Sequence, residues 1–190
     1  RSTGVSACQG QPVGYRSRQP RYPGRWVKSL QGERLQTHRV VRILGPNFGI
    51  GVRTRFPCRR HVRLTSLPRN ANIWQHNTNE IYINTDPEKQ AYFHPMFDSG
   101  GNQYDAVRTA ELGTDESWNG EWRVRCTINY NISWTVLVRI PFSDLGATPN
   151  PGDRWTLNIT RGVQSGGMSS WSLSPGTWHA PDAFGDLVVG

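Results

Sequence analysis

Period-two alternation of apolar and polar residues dominates the second half of this chain. Over residues 122–128, Trp122, Val124, Cys126 and Ile128 share one side, with Arg123, Arg125 and Thr127 on the other. Residues 133–140 repeat the pattern, with Trp134, Val136, Val138 and Ile140 set against Thr135 and Arg139. Residues 155–161 do the same with Trp155, Leu157 and Ile159 against Thr156, Asn158 and Thr160. Successive side chains of an extended chain point to opposite faces, so each segment predicts an antiparallel strand with one buried side.

Shorter strands are predicted around these three. Residues 80–85 read as a strand that stops at Asp86-Pro87, a turn signal. Residues 91–97 are interrupted by Pro95, which predicts an edge strand or a bulge. Residues 103–108 and 184–189 are further candidates, and 40–52 predicts two short strands about Gly45-Pro46-Asn47. Turns fall at Asp98-Ser99-Gly100-Gly101-Asn102 and Pro149-Asn150-Pro151-Gly152-Asp153, and no segment has a convincing helical period. The pattern is that of an all-β sandwich.

Charge divides the chain. Residues 1–70 hold fourteen Arg and one Lys against Glu33 alone, a net +14; residues 71–190 come to −6, giving +8 overall. Residues 1–37 mix Gly, Pro, Gln, Ser and Arg with few aliphatics, which predicts a poorly ordered basic segment. The expected organisation is a basic segment at 1–39 and a sandwich at 40–190, best supported over 72–190. No apolar run suits a membrane span, and mean hydropathy is −0.62. Cys8, Cys58 and Cys126 are an odd number, so they do not make a disulfide framework. Cys58 and His61 have a C-x-x-H spacing with no second pair to complete a zinc site.

Several motifs then occur in order. They are Asn72-Ile73-Trp74-Gln75 followed by Glu80-Ile81-Tyr82-Ile83-Asn84-Thr85-Asp86, then Ser117-Trp118-Asn119-Gly120-Glu121-Trp122, and Trp134-Thr135-Val136 with Ile140-Pro141-Phe142-Ser143-Asp144-Leu145-Gly146. Pro151-Gly152-Asp153-Arg154-Trp155 with Asn158-Ile159-Thr160-Arg161, Ser170-Trp171-Ser172 and Pro181-Asp182-Ala183-Phe184-Gly185 complete the series. Together they resemble family 9 carbohydrate-binding modules. The resemblance implies an immunoglobulin-like antiparallel β-sandwich, non-catalytic and attached to secreted glycoside hydrolases, and therefore an extracellular or periplasmic location. The implied partners are a poly- or oligosaccharide of plant type, or its chain ends, and parent enzyme domains. The N-terminal third departs from the family pattern, with Gly45-Pro46-Asn47-Phe48-Gly49-Ile50 where acidic turns are usual. Fourteen Arg beside a single Lys there also suit out-of-frame translation of part of residues 1–70, an account under which the sandwich lacks its opening strands.

Sugars present apolar C–H faces ringed by hydroxyls, which flat aromatics and planar polar groups complement. Carried over by position, the resemblance makes Trp74 and Trp171 the aromatic platforms and Glu80 the acidic partner. Asn158, Arg161 and Arg108 are the further polar candidates. Family members can hold structural calcium, for which Asp86, Glu88 and Asp98 are the oxygen donors at hand; no other cofactor is implied.

Rival functions have less support. A glycosidase needs two facing carboxylates, whereas Asp115-Glu116 and Asp86 with Glu88 are turn acids. Nucleic-acid or polyanion binding through the basic N-terminal segment has charge in its favour but little aromatic interleaving. A haem-binding relative would call on Met168 with His179, or Met96 with His94.

Overall fold

Trp134, Val136, Val138 and Ile140 alternate with Leu137 and Arg139 along an interior strand of one sheet, and only the first set is buried. The computed structural model describes residues 26–31, 38–43, 49–57, 66–109, 113–129, 133–163, 168–172 and 177–188. For residues 26–31, 38–43, 56, 57 and 168 the description is of backbone alone. Among the described residues the strands are β1 (Trp26–Gln31), β2 (His38–Ile43), β3 (Ile50–Pro57), β4 (Thr78–Asn84), β5 (Tyr92–Phe93), β6 (Met96–Asp98) and β7 (Gln103–Tyr104). They continue with β8 (Val107–Thr109), β9 (Gly113–Asp115), β10 (Arg123–Asn129), β11 (Ser133–Ile140), β12 (Arg154–Gly162), β13 (Met168–Ser170) and β14 (Gly185–Val188). Three short 3-10 turns, Ile73–Gln75, Phe142–Leu145 and Pro181–Ala183, are the only helical pieces among the described residues.

The strands form two antiparallel sheets. One runs β1-β2-β3-β11-β10; the other runs β13-β12-β4-β5-β8-β9, with β14 beside β12 and β6 between β4 and β7. The inward sides of both supply a single apolar core. Ile50, Val52, Trp134, Val136, Val138 and Ile140 come from the first sheet, and Ile81, Ile83, Phe97, Trp155, Leu157 and Ile159 from the second. Two sheets burying one side each against the other is the sandwich that the alternation predicts.

The first sheet answers two expectations. β3 pairs with β11 along its whole length, from Ile50 opposite Ile140 to Pro57 opposite Ser133, so the opening strands are present. β1 falls within the segment whose composition predicts poor order, and the expected boundary at 39/40 falls inside β2. Strand pairing draws on backbone donors and acceptors, which the edge of β2 supplies to β1 whatever the composition of the segment around it. Cys126 is a half-buried free thiol on β10. Cys8, Cys58 and His61 lie outside the described residues.

The second sheet departs from the prediction at Pro95. β5 and β6 pair with β4 in one unbroken register, Ile83 opposite Phe93 and Glu80 opposite Met96, with no bulge between. Pro95 therefore stands opposite Ile81 and accepts its N–H at 3.0 Å, while returning no donor. Neither is it an edge, because β7 and β8 pair on the far side with Met96 opposite Tyr104 and Tyr92 opposite Arg108.

A buried carboxylate fastens the Ser117–Trp122 corner to this sheet. Asp105 is inaccessible to solvent and accepts the Trp122 indole N–H at 2.7 Å, the Gly120 N–H at 3.1 Å and Arg69 Nη2 at 2.5 Å. Burial pushes its carboxyl above the ordinary value, against the opposing pull of these partners.

Where β3 begins, Gly49 has φ of 111°, and a Cβ there would lie 1.9 Å from the Ile140 carbonyl oxygen. Only glycine fits, on both conformational and steric grounds. Gly49→Ala is expected to cost at least ~3 kcal/mol, read as a lowered urea midpoint; an unchanged midpoint would rule out this β3–β11 approach.

Candidate functional site

β4 decides what faces outward from the second sheet. With Ile81 and Ile83 committed to the core, Thr78, Glu80, Tyr82 and Asn84 must point the other way. Registers across β12, β4, β5–β6 and β7–β8 then fix rows on that outer side. Asn158, Tyr82, His94 and Ala106 fall in one row; Thr160, Glu80, Met96 and Tyr104 in the next; Asn84, Tyr92 and Arg108 in the third.

Glu80 is the centre of these rows. It is 7% exposed, and its Oε2 accepts the Tyr82 hydroxyl at 2.6 Å and His94 Nε2 at 2.9 Å. Burial alone would raise its carboxyl, but the bond and charge of His94, the Tyr82 hydroxyl and the charge of His179 together hold it below the ordinary value. The result is an ionised acceptor within an aromatic setting. The same burial raises the Tyr82 hydroxyl, with the neighbouring carboxylate adding to the effect.

Aromatic rings surround it. Tyr82 stacks on His94, centroids 4.4 Å apart at 18°, and Phe184 leans on both Tyr82 and Tyr92. Trp178, half-buried, packs against this same Tyr82, Tyr92 and Phe184 group. On the opposite flank the turn Ile73–Gln75 is pinned by Ile73, which is buried with Met96, Tyr104 and Ala106. That anchoring leaves Trp74 48% exposed, edge-on to Tyr104 at 5.8 Å. Tyr104 in turn donates its hydroxyl to Glu116 at 2.8 Å.

Arg108, half-buried on β8, hydrogen-bonds the Tyr92 hydroxyl and brings positive charge to Tyr92, Tyr104 and His179. Burial still pushes Tyr92 up to about 12. His179 Nδ1 lies 2.6 Å from that hydroxyl, and its ring sits edge-on to His94 at 5.4 Å.

Trp74, Glu80 and Arg108 of the predicted site residues therefore belong to the outer side. Two others are placed elsewhere, and a third faces outward but is buried. Arg161 is opposite Asn79, in the inward-facing row with Phe97. The Trp171 ring covers Gly185 and packs on the main core, where a Cβ at Gly185 would come within 2.7 Å of it. Asn158 does face outward, but it is fully buried, and its Oδ1 accepts the Ile159 N–H, the Ser170 hydroxyl and the Ser172 N–H at 2.9–3.0 Å. Asn158 and Arg161 are three positions apart on one strand and so cannot share a side.

The calcium donors do not converge. Asp98 pairs with Thr78 at one end of β4 while Asp86 lies beyond Asn84 at the other, about 20 Å away at strand rise. Asp86 is engaged by Lys89 at 2.8 Å, and Asp98 accepts the Gly100 and Asn102 N–H groups and binds His76. Among the described residues no group of three or more His, Cys, Asp or Glu side chains could hold a metal ion. Of the haem candidates, His94 Nε2 is taken by Glu80, Met96 belongs to the apolar cluster under Trp74, and the Met168 side chain lies outside the described residues.

Tyr82, Tyr92, Tyr104 and Trp178 complete the outer cluster together with His94 and His179, which the sequence nominates only as haem ligands and not for sugar. For Tyr82, Tyr92, His94 and Tyr104 the signal is positional parity with Glu80 along paired strands, which needs the register before it can be read; Trp178 and His179 lie outside the strands.

No family model matches this chain. No curated protein matches it. Solved structures do. A Bacteroides uniformis structure described as a candidate carbohydrate-binding protein superposes with a TM-score of 0.68 at 13% identity, covering 89% of this chain and 87% of that one. A family 9 carbohydrate-binding module from Caldicellulosiruptor kristjanssonii, solved with cellotriose, gives 0.61 at 14% identity, covering 95% and 90%. At these identities the likeness is one of fold, and it spans both sheets.

The histidine arrangement has a consequence for pH. Partial burial first, then the charges of His94 and Arg108, lower His179 from 6.5 to about 4. The unfolded chain takes up the proton first, so the stability contributed by neutral His179 is complete above about pH 6.5 and is lost as pH falls toward 4. An NMR titration should place the His179 midpoint near 4, and Arg108→Gln should raise it. A wild-type midpoint at the ordinary histidine value would contradict this packing.

Proposed function

We propose that the outer side of the second sheet binds carbohydrate without catalysis. The observation that carries this reading is an exposed Trp74 standing beside a buried, ionised Glu80 on one sheet face, with Arg108 two rows away. An exposed indole offers a flat apolar plane to the C–H side of a pyranose. Glu80 has acceptor capacity beyond the Tyr82 and His94 bonds, and Arg108 supplies planar donors; together they suit the alternating donors and acceptors of sugar hydroxyls.

Trp178 is the second aromatic platform in this reading, because it packs on the outer cluster whereas Trp171 packs on the core. Trp74 meets Tyr104 in the Glu80 row, while Trp178 packs on the Tyr82 and Tyr92 group of the other two rows. Support for a binding role over a catalytic one comes from the carboxylates themselves. Glu80 is fixed by two hydrogen bonds in its ionised form, and Glu116 accepts from Tyr104, so neither is poised as a proton donor.

The finer reading takes its support from the sequence motifs rather than from this geometry. The ligand is a plant-type polysaccharide or its chain end, and the domain serves a larger secreted carbohydrate-active protein. One of the structural neighbours was solved with cellotriose, which makes cello-oligosaccharides the first probes.

Calorimetric titration with cello- and xylo-oligosaccharides tests this. Saturable binding is expected, with Trp74→Ala and Trp178→Ala each weakening it more than tenfold, or above ~1.4 kcal/mol. Trp171→Ala should instead lower stability and leave the affinity of the folded fraction within about twofold. Absence of binding in folded protein, or equal losses in all three variants, would overturn the assignment.

A further inference from the structure

The outward side of the first sheet carries a feature that the sugar reading does not use. Arg53 and Arg55 on β3, Arg123 and Arg125 on β10, and Arg139 on β11 are all exposed. The registers set them in neighbouring rows. Arg123 lies directly opposite Arg139, and Leu137 lies between Arg53 and Arg125. Leu137 aside, the other outward positions of these strands are Gly51, Pro57, Thr127, Asn129, Ser133 and Thr135, none of them acidic. With strands ~4.8 Å apart and alternate residues ~6.7 Å apart, the five arginine positions fit within roughly 10 by 13 Å.

This segregation is not a by-product of overall composition. Residues 71–190 have a net charge of −6 and contain six arginines, yet three of those six stand on this side with no acid among them. Like charges directly opposite across strands oppose pairing, by up to about 1 kcal/mol, so Arg123 facing Arg139 works against the sheet. Protection of an exposed edge accounts for arginine on β10, which ends the sheet. It does not account for Arg53, Arg55 and Arg139 on strands with neighbours on both sides.

We propose that this face binds an acidic polysaccharide through its carboxylate or sulfate groups. All five cations are arginine, whose planar fork matches both oxyanions in a bidentate manner. Among the described side chains of this face Leu137, 49% exposed, is the only large apolar one, too little for the core of a protein interface. None of the outward positions of β3, β10 and β11 is aromatic, so these three strands lack the stacking platform that single-stranded nucleic acid uses. A flat array of forks on a rigid sheet suits an extended chain with repeating charge. The inference does not rest on the sugar site of the other sheet, and it is separate from the charge of residues 1–37.

The test is binding of the full chain to polygalacturonate, to dextran sulfate, to neutral dextran and to a short DNA duplex across a salt series. Three proteins are compared: wild type, Arg123→Ser/Arg125→Ser/Arg139→Ser, and Arg16→Ser/Arg18→Ser/Arg21→Ser, which removes equal charge from the N-terminal segment. The face variant is expected to bind the acidic polysaccharides more than tenfold more weakly and with a flatter salt dependence, the N-terminal variant within about twofold of wild type. Arg125→Gln, the milder change, should lose about threefold and serves if the triple variant fails to fold. Preference for polygalacturonate would identify carboxylate as the partner group, and preference for dextran sulfate would identify sulfate. Equal losses in the two triple variants would reduce the effect to net charge and overturn the site. Tighter binding of duplex DNA than of either polysaccharide at equal salt would overturn the partner class, and no acidic polymer bound at low salt would overturn both. Trp74→Ala should leave these affinities unchanged, so failure of the neutral-sugar reading would be seen separately.

Discussion

The register of β4 is the constraint from which the rest of the molecule follows. Its seven residues are buried on both sides, between β12 and the β5–β6 run and between the core and the outer cluster. A slip of one residue would send Ile81 and Ile83 outward and drive Glu80 into the apolar interior, where an ionised carboxylate without its partners costs several kcal/mol. Core and candidate site are thus two consequences of one alignment. The hydrophobic drive that places two isoleucines also places the carboxylate and tyrosine between them.

That coupling explains the polar chemistry on the outer side. Glu80 tolerates burial because Tyr82 and His94, both in the adjacent row, aim donors at the same oxygen. The cluster is rich in rings and short of carboxylates, so His94, Arg108 and His179 compete for one negative charge. His179 yields by remaining neutral, which leaves Nδ1 able to accept the Tyr92 hydroxyl. Glu80, Tyr82, Tyr92, His94 and Tyr104 are each held by a neighbouring side chain, which limits the reorganisation that a ligand would have to induce.

Much of this fold is legible in the sequence, and the gaps have physical causes. The inward sides of β10, β11 and β12 follow from alternation alone, because the opposite residues there are polar or charged. β1 is not legible, since backbone pairing leaves no apolar period to read. The outer burial of Thr156, Asn158 and Thr160 is hidden as well: they look solvated until residues 168–172 are known to pair beside β12 and residues 177–184 to pack on the outer side. Pro95 reads as an interruption because sequence shows its missing donor but not the neighbouring strands that hold its register. At the site, Trp74 and Glu80 are within reach of motif spacing. Telling Trp178 from Trp171, or seeing that Arg161 points inward, requires parity across strands that are distant in sequence.

The burial of β4 on both sides also sets a timescale. A strand with neighbours at each edge and side chains covering each face has no route to solvent short of cooperative unfolding, so its amides belong with the slowest in the molecule to exchange with deuterium. Glu80 and Tyr82 inherit that persistence. The turn carrying Trp74 is held chiefly through Ile73 and rests on the small Met96, Tyr104 and Ala106 cluster, so it can open locally while the strand beneath it stays closed. The outer side therefore combines a floor that lasts as long as the folded state with a rim that renews itself far more often.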